Sequence, residues 1–108
     1  MSASVIYVTT KSKSEAREIS KIVISERLAA CSNILGPINS IYHWNDKICE
    51  DEETAFLLKT SKDRVRKLIK RIEQVHSNEV PCIIETELAS AHRAFADWIF
   101  SNTRPSNI

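Results

Sequence analysis

A long two-stranded hairpin is the feature of this sequence that most restricts its fold. β-type apolar residues recur from Ala30 to Trp44, and the segment from Lys47 to Thr60 is expected to pair with them. Gly36-Pro37 interrupts the first strand, and proline is tolerated in a strand only at an edge or a bulge, so we expect a bend there. Asn45-Asp46 accepts positive φ and predicts the turn at which the chain reverses.

Four consecutive acids, Glu50 to Glu53, lie in the half of the hairpin next to the turn. Side chains alternate between the two faces of a strand, so only every second carboxylate points to the same side. Neighbouring carboxylates also repel one another. We therefore interpret the run as a solvated hairpin arm that discourages pairing with other strand edges, rather than as a cation site.

The first strand and the first two helices follow from apolar spacing and from helix-start signals. Ser4 to Thr10 is typical of a buried strand. Ser12 with Glu15 three residues later is a capping box, and the apolar residues after it predict an amphipathic helix to about Leu28. Ser61 is expected to cap a second helix, because apolar residues then recur at steps of three and four.

The C-terminal part predicts one more strand and one more helix. Cys82 to Leu88 is expected to form the strand and Ala91 to Phe100 the helix. The tail, residues 101–108, is expected to be loose or to dock on a partner. The order of elements predicts an α+β fold, a ferredoxin-like βαββαβ unit with an extra C-terminal helix and a long β2-β3 hairpin, in a single domain over residues 1–108.

Composition excludes several classes of protein. The 108 residues carry 15 basic and 14 acidic side chains, with a net charge of +1, so nothing marks the chain for nucleic acid or for a membrane. The apolar run from Val5 to Val8 is too short for a signal peptide, and we expect a cytoplasmic location. Cys31, Cys49 and Cys82 lack C-x-x-C spacing and are expected to be free thiols. A single glycine and no nucleophile motif argue against an enzyme.

A set of polar and aromatic residues could converge on a binding site: Tyr42, His43, Trp44, Lys47, Lys59, His76 and Glu79. His76 and Glu79, three residues apart, could reach one zinc or copper ion. Alternatively, His76 interacts only with the dipole at the end of its helix. Tyr42 and Trp44 share a strand face, where they either pack against a helix or another subunit or contact a ligand.

Five segments carry a resemblance to a known family: Ala30 to Ile34, Ser40 to Trp44 with Lys47, Glu53 to Thr60, His76 with Glu79 to Pro81, and Trp98-Ile99. With the patterns A-C-x-N-I, S-x-Y-x-W and L-K-T in this order, the chain resembles the CutA family of divalent-cation tolerance proteins over nearly its whole length. The resemblance implies a tight homotrimer assembled through the hairpin strands, with clefts between subunits. It also implies an association with copper and with tolerance of other divalent metals, without an established reaction.

The resemblance further implies which residues border the inter-subunit cleft: Cys31, Asn33, Tyr42, Trp44, Lys47, Glu53, Lys59, His76, Glu79 and Trp98. The copper ligands proposed for the family are a thiol at the end of the first strand and two histidines at the end of the second helix. These positions correspond to Thr9, Val75 and His76, so His76 alone remains as a metal candidate. Copper or another divalent cation is therefore expected to bind weakly and not to be required.

Three functions are consistent with these residues. The first is a cytoplasmic, CutA-like homotrimer that binds or senses metal ions, copper among them. The second is a small-molecule signalling module like the structurally similar PII proteins, with an anionic ligand in the inter-subunit cleft near Lys47 and Lys59. The third is a hydrolase that uses His76 and Glu79 as an acid and base pair. Metal titration separates the first from the second, because a sensor of anions should ignore copper.

Overall fold

The computed structural model describes residues 2–105, which form a four-stranded antiparallel sheet and three helices. The strands are β1 (Ala3–Thr10), β2 (Cys31–Trp44), β3 (Lys47–Ser61) and β4 (Ile83–Glu87), in the spatial order β2-β3-β1-β4. The helices are α1 (Lys13–Ser25), α2 (Val65–Val75, after a 3₁₀ turn at Lys62–Arg64) and α3 (Arg93–Asn102). The expected α+β class is confirmed. No helix within residues 2–105 is long and apolar enough to cross a membrane.

The predicted hairpin is present and extends beyond the body of the sheet. Asn45 and Asp46 adopt φ values of 51° and 61°, as the turn requires. The ladder between β1 and β3 stops at the pair Thr10 and Thr54. Residues 38–44 and 47–53 therefore continue as two strands without a third neighbour. We call residues 38–53 the hairpin arm. The acids alternate along it as expected, with Asp51 opposite Ser40 and Glu52 opposite Asn39.

The hydrophobic core lies on one face of the sheet, under α1 and α2. Apolar side chains of the two central strands meet those of both helices: Ile6, Val8, Phe56 and Leu58 from the strands, Ala16, Ile19 and Val23 from α1, and Val65, Leu68 and Ile72 from α2. Burial of each large side chain contributes about 1.5–3 kcal/mol. On the opposite face, α3 covers only one end, where Ile99 packs with Ala3 and Ala30. We call the uncovered remainder the open face.

The start of α1 is confirmed and its end is corrected. The Ser12 hydroxyl accepts the backbone N–H of Glu15 at 3.1 Å, which is the predicted cap. The helix stops at Ser25, three residues before the expected Leu28. Arg27 takes a positive φ of 59°, and this left-handed residue turns the chain out of the helix.

The start of α2 differs from the prediction because Ser61 does not cap it. The Ser61 hydroxyl bonds the Asp63 carboxylate at 2.7 Å and the Thr103 hydroxyl at 3.0 Å, and Ser61 itself belongs to β3. A 3₁₀ turn then leads into the helix, which begins at Val65. The predicted amphipathic spacing is correct, but the first turn is tightened by this local hydrogen bonding.

Several predicted boundaries shift by one or two residues. β1 begins at Ala3 because Ala3 pairs with Ser61, and β2 begins at Cys31 instead of Ala30. β4 covers Ile83–Glu87, one residue shorter at each end than expected. α3 spans Arg93–Asn102, not residues 91–100, and no side chain caps its start.

The tail expectation is wrong for the part of the chain that the structure describes. Thr103 is fully buried, and Arg104 Nη1 donates to Asp63 Oδ2 at 2.7 Å. The hydrogen bonds from Arg104 and from the Ser61 hydroxyl hold the pKa of Asp63 well below its usual range. The residues after α3 therefore dock on their own chain. Residues 106–108 lie outside the described residues.

Candidate functional site

A groove of about 580 Å³ lies on the open face, between the hairpin arm and the loop that precedes β4. It is lined by side chains from three strands and that loop: Tyr7, Thr9, Ile38, Ser40, Ile41, Tyr42, Trp44, Glu53, Asn78, Glu79, Val80 and Cys82. Small-molecule sites in proteins usually fall between about 300 and 1,000 Å³. This groove is therefore large enough to hold a small molecule.

A one-residue bulge in β2 decides which side chains face the groove. Ile34 pairs with Phe56, but Gly36 and not Leu35 pairs with Ala55, so the alternation of β2 is reversed after Leu35. Gly36 has a φ of +101°, a conformation that favours glycine. The bend expected at Gly36-Pro37 is thus confirmed as a bulge.

The reversal brings the even-numbered residues of the hairpin arm onto the open face. Ile38 pairs with Glu53 and Tyr42 with Cys49, and the Tyr42 hydroxyl donates a hydrogen bond to Asp51. This hydrogen bond, together with partial burial and the negative charge of Asp51, raises the pKa of Tyr42 to about 12. The phenol is the donor of this hydrogen bond at physiological pH, and the bond orients its ring.

His76 lies behind the groove and not in it. Its side chain is buried, with 9% exposed. Nδ1 accepts the backbone N–H of Asn78 at 3.0 Å, so Nε2 carries the proton and donates to the Thr9 carbonyl at 2.8 Å. Both ring nitrogens therefore have partners, and neither partner is Glu79. His76 fixes the position of the loop that forms one wall of the groove.

Glu15 secures the same loop from the other side. Its carboxylate accepts the backbone N–H of Ser77 at 2.9 Å and that of Lys11 at 3.3 Å. Burial alone would raise the pKa of Glu15, but hydrogen bonding by Ser77, attraction to His76 and the Lys11 N–H outweigh it and lower the pKa. The sequence identified Glu15 only as part of a capping box. Its contact with Ser77 joins residues 62 positions apart, which no local pattern indicates.

The structure brings together four of the ten residues that the resemblance implied. Tyr42, Trp44, Glu53 and Glu79 line the groove. Lys47 is paired with Trp44 at the tip of the hairpin, beyond the lining. His43 pairs with Ile48 and alternates to the other face of the hairpin arm.

The other implied cleft residues lie near α3, at the opposite end of the open face. Cys31 pairs with Lys59, and Asn33 pairs with Leu57 one step along. The Lys59 ammonium lies 5.5 Å from the centre of the Phe95 ring, which stacks on Trp98 at 5.6 Å. Within one chain, Lys47 and Lys59 therefore do not border a common groove.

Several groove residues are not identified by the sequence alone. Tyr7 and Thr9 alternate along β1, which is the only local signal that they share a face. Cys82 joins them because β4 neighbours β1, and the Thr9 N–H contacts the Cys82 carbonyl at 3.4 Å. Asn78 and Val80 flank Glu79 in the loop, and this position next to a predicted site residue is the signal that could have identified them.

A metal site is not built within residues 2–105, where no three His, Cys, Asp or Glu side chains group around a common point. Thr9 supplies no thiolate, and its carbonyl already accepts a hydrogen bond from His76. The three cysteines are free thiols, as expected, and all three are partly buried. The residues present do not fit a tight copper centre.

Comparison with known proteins agrees with this architecture, a four-stranded antiparallel α+β protein with an extended hairpin. The model of the CutA1 divalent ion tolerance protein family matches residues 4–102. A divalent-cation tolerance protein CutA from Thermus thermophilus is 38% identical over 99 residues, which are 92% of this chain and 96% of that protein. The chain belongs to the CutA1 divalent ion tolerance family.

Solved structures support the same assignment. The divalent ion tolerance protein CutA1 from Ehrlichia chaffeensis has a TM-score of 0.92 and 34% identity, over 96% of this chain and 97% of that one. The structure described as the periplasmic divalent cation tolerance protein CutA from Archaeoglobus fulgidus has a TM-score of 0.92 and 32% identity, over 94% and 99%. The chain spans 55% to 58% of the length of the curated plant and mammalian relatives that it matches.

Proposed function

We propose that this protein is a homotrimeric binding or sensing protein in the response to divalent metal ions, copper among them, and not an enzyme. The observation that carries the proposal is the family match, which covers the helices, the sheet and the hairpin arm. The Thermus thermophilus relative is named for divalent-cation tolerance and not for a reaction. A ferredoxin-like topology is part of the proposal, and the strand order β2-β3-β1-β4 supports it.

The location is proposed to be the cytoplasm, on the sequence argument given above. The solved relative from Archaeoglobus fulgidus is described as periplasmic, so relatives do not decide the location of this chain. The PII-like alternative, with an anion near Lys47 and Lys59, receives no support from the groove within one chain, because neither lysine lines it.

The homotrimer is supported by the surface that a single chain leaves uncovered. The hairpin arm exposes Ile41 by 68%, Ile48 by 73% and Trp44 by 48%. β2 is an edge strand of 14 residues, and such an edge invites pairing with another chain. Large exposed apolar patches of this kind mark interaction surfaces. The number of three subunits comes from the family resemblance.

Light scattering coupled to size exclusion is the test of assembly. We expect a mass about three times the 12.3 kDa of one chain at micromolar concentration. Amides of the hairpin arm should also exchange more slowly at a concentration where the protein is assembled than after dilution that dissociates it. A single species at the monomer mass would contradict the trimer.

Copper binding is expected to be weak and to depend on His76 more than on the acid run. Imidazole suits copper, whereas carboxylates suit magnesium or calcium, and Glu52 and Glu53 point to opposite faces of the hairpin arm. A copper ion at Nδ1 must displace the N–H of Asn78, which lowers its affinity. Calorimetry should show His76→Ala losing the heat of binding, while Glu52→Gln with Glu53→Gln retains it.

The matched control for this titration is His43→Ala. His43 is an exposed histidine on the hairpin, so it reports adventitious imidazole binding at the surface. Circular dichroism of each variant shows whether the fold is intact. If the double glutamate variant loses copper while His76→Ala keeps it, the acid run is the metal site.

A further inference from the structure

A cluster of cations lies on the side of α2 that faces away from the sheet. Arg66, Lys67 and Lys70 are exposed, and none of them forms a salt bridge within residues 2–105. We call these three residues the basic face of α2. We propose that it is a docking surface for an acidic segment of a partner protein, an extended stretch rich in Asp and Glu. The inference goes beyond the proposed response to metal ions and names a second kind of partner.

Other cations of the same part of the chain are already paired. The Lys62 ammonium lies 2.7 Å from a carboxylate oxygen of Glu85 and 2.6 Å from one of Glu87. The Arg71 guanidinium lies 2.9 Å from a carboxylate oxygen of Glu26, at the end of α1. Pairing within the chain therefore neutralises the two flanks of α2 and leaves the basic face between them.

The charges of the basic face oppose the stability of the helix that contains them. Lys70 lies three residues from Lys67 and four from Arg66, and like charges at these spacings repel one another on a helix surface. Arg66 and Lys67 also lie in the first turn, where the helix dipole favours acids, yet that turn has no acid and no side-chain cap. Departures from the local rules of stability are expected at functional sites. An acidic partner would compensate this repulsion.

The basic face lies away from the surfaces that the proposed homotrimer would cover. The apolar side of α2, with Val65, Leu68 and Ile72, packs on the sheet, so the basic side points away from it. The open face is on the opposite side of the sheet, and α2 contacts β4, at the opposite edge from β2. The proposed trimer would therefore present three copies of the basic face, and a partner with several acidic segments can bind more than one of them.

The surroundings of the basic face favour a short acidic segment over a membrane or a nucleic acid. The apolar side of α2 is in the core, so this helix has no apolar side free to enter a bilayer. Residues 65–75 include no aromatic side chain to stack on a base. The whole chain has a net charge of +1, so the residues outside these three cations are net negative and would repel a long polyanion.

The spacing of the basic face fits an extended peptide. Arg66 and Lys70 are four residues apart, which is about 6 Å along a helix axis. In an extended peptide, side chains that point to the same side are about 6.5–7 Å apart. Two carboxylates separated by one residue can therefore meet Arg66 and Lys70 together, and the Arg66 guanidinium can bind its carboxylate with two parallel hydrogen bonds. Lys67 is adjacent and can bind a third carboxylate.

A labelled peptide in which Glu alternates with Ser is the probe, and the same peptide with Gln in place of Glu is its control. Fluorescence anisotropy should show the Glu peptide binding at least about tenfold tighter, the combined effect of three exposed ion pairs. The difference should shrink as salt rises from about 0.05 M to about 0.5 M. Equal binding of the two peptides would overturn the inference. So would a DNA duplex or phosphatidylserine vesicles that displace the Glu peptide at a lower concentration of charge than unlabelled Glu peptide does.

Variants of α2 locate the contact. Arg66→Gln, Lys67→Gln and Lys70→Gln each remove one charge and keep a residue that favours a helix, and each should weaken the Glu peptide by about two- to fivefold. The three together should remove the preference for Glu over Gln. Thermal unfolding should show the triple variant to be no less stable than the wild type, because repulsion between like charges is relieved. A folded triple variant that binds like the wild type contradicts the proposal.

The first helix supplies a matched control with the same number of charges. Lys13, Arg17 and Lys21 are exposed, but they form a row about 12 Å long with the exposed Glu18 among them, not a cluster. Replacing these three cations by Gln changes the net charge by the same amount and should leave peptide binding within about twofold of the wild type. Equal loss in both triple variants would mean that only net charge matters, which overturns the inference.

The mass of each sample is measured beside its peptide binding, so this inference and the proposed assembly fail separately. A trimer that does not distinguish the two peptides overturns the docking surface alone. A monomer that prefers the Glu peptide, and loses this preference in the α2 triple variant, overturns the assembly and supports the docking surface, because one chain supplies all three cations.

Discussion

Trp44→Ala is expected to weaken the homotrimer by about 3–5 kcal/mol, the usual loss when a buried aromatic side chain is truncated. In a single chain Trp44 is 48% exposed, so its removal there should cost much less. A large effect therefore requires that another subunit covers the ring. Melting temperature and mass should both fall, and the melting temperature should depend on protein concentration.

Leu68→Ala provides the contrasting control. Leu68 is fully buried in the core between α2 and the sheet, and its truncation should cost about 2–5 kcal/mol in any assembly state. This loss should not change strongly with protein concentration, because Leu68 packs within its own chain. An unchanged mass and melting temperature in Trp44→Ala, measured beside a destabilised Leu68→Ala, would remove Trp44 from the subunit boundary.

The parts of the fold that depend on neighbouring residues could be predicted from the sequence. The turn at Asn45-Asp46 requires positive φ, which these residues tolerate, and the structure confirms it. The cap at Ser12 is equally local, since its hydroxyl needs only the N–H three residues on. The end of α1 could not be predicted in the same way, because Arg27 has no special preference for the left-handed region that it adopts.

The candidate site could be predicted only in part, because it depends on strand order and on register. Tyr42 and Trp44 were correctly expected to share a face, but the bulge at Leu35 decides that this is the open face. Thr9 and Cys82 meet because β4 neighbours β1, and the sequence does not state that order. The docking of Arg104 on Asp63 was missed for the same reason, since it joins positions 41 residues apart.

Glu15 anchors one wall of the groove but does not line the groove. A substitution of Glu15 therefore tests the wall without changing a lining residue. Its carboxylate holds the backbone of Ser77, and the adjacent His76 holds that of Asn78. Asn78, Glu79 and Val80 all line the groove. The wall of the groove therefore depends on an anchor that lies outside the groove, and removal of the anchor should reduce the order of the wall.

Glu15→Ala is expected to lower the free energy of unfolding by about 2 kcal/mol, since hydrogen bonds to a charged group contribute about 1.5–3 kcal/mol. It should also increase amide exchange at residues 77–80. Glu18→Gln, on the same helix but exposed, is the matched control and should change neither. Urea unfolding and hydrogen exchange measure the two effects. Unchanged exchange at residues 77–80 would show that His76 alone secures the wall.

The pH dependence of this difference follows from the direction of the Glu15 pKa shift. The pKa is lower in the folded protein than the ordinary value of 4.5, so folding favours the charged carboxylate. Its contribution is fully present above the unfolded-state pKa and is lost as the pH falls through the folded-state pKa. The gap in unfolding free energy between wild type and Glu15→Gln should therefore be constant near neutral pH and shrink below about pH 4.5. A gap that widens on acidification would mean that the neutral carboxyl is the stabilising form, and that the hydrogen bonds from Ser77 and Lys11 do not hold the loop as charge-assisted contacts.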